Sequence, residues 1–349
     1  MPNPDWQQEI ASSIKTSKQL NDFFELFDFK DKPIQENFKY PILIPKKFAN
    51  KIKNAGPNSP LWNQFIPSNL ENNNIGLKDP IGDGKFNQER RVIHRYENRA
   101  LLWVTNLCPI ICRYCFRKNE LYESSTLNRG KINEACEYLK QNPKINEVIF
   151  TGGDPLILSD NQLEEWLNEI EKIKHIEFIR FHSRVPIILP SRINESFINL
   201  LNKFKTRFVI SFVIHINHVD EIDDEVREIL KRIFTANFKL FSQTVLLKGV
   251  NDSIEALREL FLELAKNYVT PYYLHHPDKA LGTDHFQISI ETGRRIYSQL
   301  QNLLSGWMIP KYVLDIPGGR GKVPIYNSEK IQFDGHLIDK SGNKVRINT

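Results

Sequence analysis

From about residue 100 onward the chain alternates short apolar runs with longer amphipathic ones. ALLWVTN, EVIFTG, FIRFHS, FVISFVIH, LFSQTVLL and PYYLHH recur roughly every 30 residues, rich in Val, Ile, Phe and Tyr, and each reads as a β-strand. Between them LEEWLNEIEKI, DEVREILKRIF, IEALRELFLELAKNY and TGRRIYSQLQNLL carry apolar residues at helical spacing. Six βα units in a row predict an α/β fold with a parallel sheet, curled as a barrel or a partial (β/α)6 barrel. A seventh strand, KYVLD, leads into PGGRGK, and the last 25 residues read as a short β tail. Residues 1–85 are different: polar, rich in Asn, Lys and Pro, with two amphipathic stretches near QEIASSIK and KQLNDFFELF that predict short helices. No chemistry is visible there. The pattern therefore divides into an N-terminal, mainly helical extension (1–85), a barrel with the candidate site (86–325) and a C-terminal tail (326–349).

Composition agrees with one large core. The 349 residues are 40% hydrophobic and 26% charged, which suits a big single-domain enzyme. The opening MPNPDWQQEIASS has no basic region leading into an apolar one, and no apolar run approaches 18 residues. A cytoplasmic protein, neither secreted nor membrane-spanning, is the expectation. A net charge of +5, from 47 basic and 42 acidic residues, comes with no dense basic stripe, so nucleic-acid binding has no support.

What ends each strand matters more than the strands. The runs close in TNLC (Cys108), TGGD (Asp154), HSR (Arg184), HINH (His215), Gln243 and HHPD (Asp278). Active sites of parallel barrels lie at the carboxyl ends of the strands. Any one of these residues is an ordinary loop residue; polar clusters in phase with every strand point to a site.

Three of the four cysteines fall within CPIICRYC, residues 108–115. In a reducing compartment such a cluster binds metal or takes part in catalysis more often than it forms disulfides. C-x3-C-x2-C matches neither the paired knuckles of a zinc ribbon nor a ferredoxin run with four ligands. Cys108, Cys112 and Cys115 can hold a four-iron cubane and leave one iron without a protein ligand, open to chelation. Buried thiols without metal are the plain alternative. Cys136, in KINEACEYLK, reads as structural.

With Tyr114 just before the third cysteine, the motif resembles that of the radical S-adenosylmethionine enzymes, and TGGDP resembles their second glycine-rich element. The resemblance implies a [4Fe-4S] cluster at the three cysteines, S-adenosylmethionine on its open iron, and contacts from Gly152, Gly153 and Asp154. HRYENRALLWVTNLCPIICRYCFRK, FTGGDPL, FHSRVP, HINH, PYYLHHPDKALGTDHF and DIPGGRGKVP together resemble the lysine 2,3-aminomutase family over about residues 90–325. DWQQEIASSI, YENRALL and PYYLHHPDKALGTDHF look most like the branch that makes (R)-β-lysine for modifying elongation factor P. The fold implied is a partial (β/α)6 barrel of radical S-adenosylmethionine type.

The same resemblance implies an isomerase that moves an amino group from C2 to C3 of L-lysine with pyridoxal 5′-phosphate, because an imine can accept and pass on an adjacent radical. Lys322 matches the family's Schiff-base lysine; taken alone it is an unremarked loop lysine, and a phosphate-binding loop fails at Ile316 and Val323. Arg95 and Arg99 match arginines near the pyridoxal phosphate group, and His215 and Gln243 match cofactor contacts. Arg117 matches the binder of the substrate carboxylate, and Asp278 and Asp315 match two carboxylates that hold the distal ammonium. A reducing partner such as flavodoxin or ferredoxin is implied, as is a link to an enzyme that modifies elongation factor P. Larger lysine aminomutases carry a zinc-binding cysteine group after the barrel; no cysteine follows Cys136 here, so the family's oligomeric state is not carried over. Two rivals stay open at this point: an aminomutase for another basic amino acid such as arginine, and an iron-sulfur carrier or sensor without turnover.

Overall fold

The computed structural model describes residues 5–25, 38–87, 91–123, 132–326, 335–338 and 343–347. Its main sheet has nine strands lying side by side in chain order. The six apolar runs form β2 (Arg99–Thr105), β3 (Glu147–Gly152), β4 (Phe178–Ser183), β5 (Val209–His215), β6 (Lys239–Val245) and β7 (Thr270–His275), and KYVLD lies in β8 (Lys311–Ile316). Each of these pairs in parallel with the next. The pattern does not predict the two outer strands. β1 (Val92–Tyr96) and β9 (Gly321–Pro324) pair antiparallel with β2 and β8. Their sequences, VIHRY and GKVP, lack a clean apolar alternation, and both strands exist because a tight turn brings them back onto a ready-made neighbour. The tail forms a separate antiparallel pair, β10 (His336–Ile338) and β11 (Lys344–Arg346).

Helices cover the outside of the sheet. Asp160–Glu171 buries Leu163, Trp166, Leu167 and Ile170, and Ser159 with Gln162 closes its first turn as a capping box. Asp224–Thr235 and Ile254–Lys266 repeat the device, with Asp223 and Ser253 as caps. On the sheet, alternation sorts the side chains. Phe150, Phe181 and Phe212 face the helices, with neighbouring ring centroids 5.0 and 5.5 Å apart. Residues of the opposite phase, among them Ile149, Arg180, His182, Val213, His215 and Gln243, face the interior. A complete eight-stranded barrel fills that interior with bulky side chains. Here a cavity of about 820 Å³ remains.

The N-terminal extension corrects the sequence reading. QEIASSIK is helical only as far as Ala11, and Ile14 pairs instead with Ile44. Ser17–Phe24 is helical as expected, whereas Lys46–Ala55 and Pro60–Phe65 are helices the pattern does not predict. The extension also carries chemistry. Arg113, between two of the cysteines, donates from Nε to Glu71 Oε1 at 2.8 Å and from Nη2 to Glu71 Oε2 at 2.7 Å. Lys118 Nζ stands 3.4 Å from the same carboxylate and donates to the carbonyls of Arg113 and Gly282 at 2.8 and 2.7 Å. Backbone bonds from Ile111 to Leu43 and from Arg113 to the Gln64 carbonyl, 3.2 and 2.9 Å, complete the clamp on the cysteine loop. Farther on, Leu77 bridges Ala280, and Gly82 packs so close to the β8–β9 turn that a side chain there would meet the Gly319 nitrogen at 2.3 Å. With φ at 71°, position 82 favours glycine on conformational grounds as well. Among the described residues no helix is long and apolar enough to cross a membrane.

Removing one partner of a buried ion pair leaves the other uncompensated, at a cost of about 3–5 kcal/mol. Glu71→Ala strands both Arg113 and Lys118 and should lower the urea midpoint by a corresponding amount at unchanged slope. A midpoint equal to that of the parent would show that the clamp contributes nothing.

Candidate active site

The cysteine loop leaves the carboxyl end of β2, and the three thiols of Cys108, Cys112 and Cys115 line the cavity. The loop after β3 lies against it. Gly153 N donates to the Thr105 carbonyl at 2.7 Å and Asp154 N to the Leu107 carbonyl at 2.8 Å, an approach that a side chain at residue 153 would block by meeting the Leu107 oxygen at 2.2 Å. Gly152, with φ 109°, makes the turn. The Asp154 carboxylate accepts from Ser183 Oγ and Arg184 N, both at 2.7 Å, and from Leu156 N and Val185 N, both at 3.1 Å. It thus ties the end of β3 to the end of β4. Burial pushes its pKa up to about 6, against the effect of those bonds.

Burial also raises all three thiols, Cys115 to about 11, and at Cys108 and Cys115 a neighbouring thiol adds to it. At Cys112 the Arg184 guanidinium opposes the rise, donating to Sγ at 3.3 Å. Iron takes the thiolate, so loading a cluster releases protons here. Arg184 is itself held by Glu221, by Gln64 Oε1 at 3.0 Å and by the Tyr114 hydroxyl, which also bonds His215 Nε2 at 2.7 Å. A buried cation beside the thiols suits the negative charge of a thiolate-bound cluster. Among the described residues no group of His, Cys, Asp and Glu is placed to hold a single metal ion. A cubane binds each cysteine at a different iron and therefore needs them farther apart. Cys136 lies elsewhere, on the buried face of helix Ile132–Gln141.

Deeper in the cavity the charges form a chain of alternating sign. Glu120 stands 3.3 Å from Arg117, whose Nη2 donates to Asp83 Oδ2 at 2.5 Å. The other Asp83 oxygen accepts from Arg95, which also reaches Asp315 at 3.3 Å and the Ile81 carbonyl at 2.8 Å. Asp315 in turn lies 3.4 Å from Lys322 Nζ. Asp278 lines the same wall; burial and the Asp315 charge hold its carboxyl well above the usual carboxylate range. His182, His215 and His275 are held well below the usual imidazole value, first by burial and then by nearby cations, so the interior histidines are neutral. Arg99 stacks on Tyr96, 3.8 Å from the ring centre, and donates to Asn98 at 3.0 Å.

Every candidate residue of the sequence analysis lines this one cavity. The Arg95 guanidinium is engaged there by two carboxylates, Asp83 and Asp315. Asp83, Glu147, Arg180, His182, Tyr273 and His275 line the cavity too and were not singled out. FIRFHSR carries a signal for two of them, since Arg180 and His182 alternate with the apolar Ile179 and Phe181 and so share the inner face of β4. For Asp83 nothing in the surrounding DPIGDGKF distinguishes it from a turn residue.

A family model described as the Radical SAM superfamily matches residues 104–261. An L-lysine 2,3-aminomutase of Methanococcus maripaludis is 37% identical over 92% of this chain and 75% of its own length. The enzyme of the same name from Buchnera aphidicola is 35% identical over 92% and 95%, and that of Escherichia coli 32% over 92% and 94%. Among solved structures, Streptococcus suis SuiB bound to S-adenosylmethionine aligns with a TM-score of 0.49 at 15% identity, over 65% of this chain and 52% of that one. These sequence relatives are enzymes, which sets aside the reading as an electron carrier without turnover. With three thiols on one loop at the mouth of a partial barrel, and relatives matching nearly end to end, the chain belongs to the lysine 2,3-aminomutase family of radical S-adenosylmethionine isomerases, which use a [4Fe-4S] cluster and S-adenosylmethionine.

Proposed function

We propose that the protein converts L-lysine to β-lysine, with pyridoxal phosphate carried on Lys322. One observation supports this above the others: Arg117, Lys322 and the pair Asp278 and Asp315 share a cavity with the three thiols. A cation for a carboxylate, an amine for an aldehyde and two carboxylates for a distal ammonium suit a diamino acid better than any neutral or acidic one. When bound, the cluster and S-adenosylmethionine supply a one-electron route, and pyridoxal phosphate supplies the conjugated group that carries the migrating nitrogen.

The rest falls to this chain's side chains. Cys108, Cys112 and Cys115 hold the cluster, and the glycine turn at 152–153 with Asp154 keeps the neighbouring loop against it. Arg117 receives the substrate carboxylate through a planar fork, while Asp83 fixes the orientation of that fork from behind. Burial and the Asp315 charge disfavour an ionised Asp278, and an incoming ammonium would offset that repulsion. Neutral His182, His215 and His275 line the chamber without adding competing cations. We further propose a cytoplasmic enzyme, reduced by a flavodoxin- or ferredoxin-like donor, whose β-lysine serves an enzyme that modifies elongation factor P. That last link rests on the resemblance in DWQQEIASSI and PYYLHHPDKALGTDHF.

Anaerobic incubation with S-adenosylmethionine, dithionite and L-lysine should yield β-lysine on chromatography; product from arginine and none from lysine would overturn the substrate assignment. Cys108→Ala, Cys112→Ala and Cys115→Ala should each lose bound iron and sulfide, whereas Cys136→Ala should keep both. Equal losses in all four would refute the ligand set. Borohydride should fix pyridoxal phosphate to Lys322, and peptide mapping that finds it on another lysine would remove that role. Charge-assisted hydrogen bonds contribute roughly 1.5–3 kcal/mol, so Asp278→Asn or Asp315→Asn should lower kcat/KM for lysine about 10- to 100-fold while leaving uncoupled cleavage of S-adenosylmethionine intact. Variants that turn over lysine like the parent would sink the distal-ammonium site.

A further inference from the structure

The two ends of the barrel sheet differ in charge. The connections that enter β3 to β8, residues 142–147, 172–178, 203–209, 235–239, 266–270 and 305–311, hold nine basic residues against two acidic ones, Glu147 and Glu177. The loops that leave β3 to β7, residues 153–159, 184–194, 216–223, 246–253 and 276–289, hold four against seven. Parallel strands put the first set at one end of the sheet and the second at the other. The modest net charge of +5 therefore hides a strongly basic face. Lys172, Lys203 and Lys266 lean on carboxylates of the covering helices, whereas Lys174, Lys205 and Lys239 are exposed and, among the described residues, have no ion-pair partner.

The same face exposes apolar side chains. Of the eleven large hydrophobic residues exposed among those described, six are here: Phe178, Val209, Phe234, Tyr268, Leu303 and Trp307, the last 58% exposed. They follow the order of the strands, connection by connection. Phe178 pairs directly with Val209, and the rings of Phe234 and Tyr268 stack 4.1 Å apart at 7°. Tyr268 holds φ at 62°, a left-handed conformation that favours Gly or Asn just past a helix, so its side chain is kept at a conformational cost and without a place in the core. Apolar groups gathered on one exposed face and rimmed by charge mark a contact surface.

We propose that the amino-end face of the barrel docks an acidic protein, whose Asp and Glu rim meets the lysines while its apolar centre covers the exposed rings. Charge decides among the occupants. A second copy set face to face would bring two basic surfaces together, which like-charge repulsion disfavours. A single-stranded nucleic acid needs open ring faces on which to stack its bases. Here Phe234 and Tyr268 stack on each other, and Val209 and Leu303 have no ring. An apolar centre inside a charged rim is the anatomy of a protein–protein contact. The partner is also not the electron donor, which has to approach the thiols at the opposite end of the strands. The proposal stands independently of the roles given to Lys322 and to the substrate carboxylates.

The test uses the cluster-loaded full chain and three probes: a glutamate–tyrosine copolymer, polyuridylate RNA and phosphatidylglycerol vesicles. The copolymer should bind the parent, and reversing Lys174, Lys205 and Lys239 together to Glu should weaken it roughly 10-fold or more, with no change in turnover of lysine. The same reversal at Lys15, Lys18 and Lys46, on the N-terminal extension, alters net charge equally and should leave binding close to the parent. Changing the three face lysines to Gln should give an intermediate loss, and it serves alone should the Glu variant not fold. Tyr268→Ser with Trp307→Ser should weaken the copolymer at constant charge. In cells, Trp307→p-benzoylphenylalanine should cross-link to an acidic protein whose purified form shows the same order among the variants. Equal losses in the two reversed triples, preference for RNA or vesicles that the face triple abolishes, self-association lost in that triple, or cross-links only to RNA or to a second copy each overturn the proposal, as does the absence of any cross-link.

Discussion

The fork of two hydrogen bonds between Arg113 and Glu71 is the contact on which the site depends. A buried ion pair offsets its desolvation only when the geometry is good and the remaining donors are satisfied. Here Arg113 has a bidentate partner and the Pro41 carbonyl at 2.9 Å, and Lys118 uses two further carbonyls beside the same carboxylate. Because Arg113 sits inside the cysteine motif, this pair fixes the loop from behind while its neighbours point forward. Tyr114 reaches His215, Cys112 reaches Arg184, and Arg117 reaches Asp83.

The charge chain shows a second consequence of building a site inside a half-filled barrel. Groups that would meet ligands meet each other instead: Arg117 finds Asp83, and Asp315 finds both Arg95 and Lys322. Charges so buried need partners whether or not a ligand is bound. Ligand entry therefore exchanges partners inside a compensated network, which limits reorganisation and disfavours molecules whose charges do not match the pattern. Under the proposed assignment, a second carboxylate on a substrate would leave Asp278 and Asp315 with no cation to receive.

Much of this was legible in the sequence, and the parts that were not share a physical cause. The parallel strands announce themselves because each is a β-prone run of its own, and the chemistry at their ends follows from strand polarity. β1 and β9 depend on a neighbour for their existence, and VIHRY or GKVP alone gives no period. The same holds for function. Cys108, Cys112 and Cys115 are close in sequence and carry a spacing; Glu71, Asp83 and Arg180 act through partners between 12 and 42 residues away or farther, and their types are ordinary for a turn, a cap or a strand. Arg180 and His182 were within reach, since two polar residues on one face of an apolar strand have to point at something polar.

The contacts of residues 76–82 bear on how the molecule comes into being. Leu77 pairs with Ala280, and Gly82 fits against Gly318 and Gly319, so an early stretch of chain seats itself on elements made some 200 residues later. Pairings this distant are reached late, since a long loop must close before they form. On the ribosome the strands and their helices can assemble in order, each on the one before. Residues 76–82 have to wait beside them until Ala280 and the final hairpin emerge. Until then the barrel is still open at the seam, while the Arg113–Glu71 pair, made within the first 118 residues, can already hold the cysteine loop from behind.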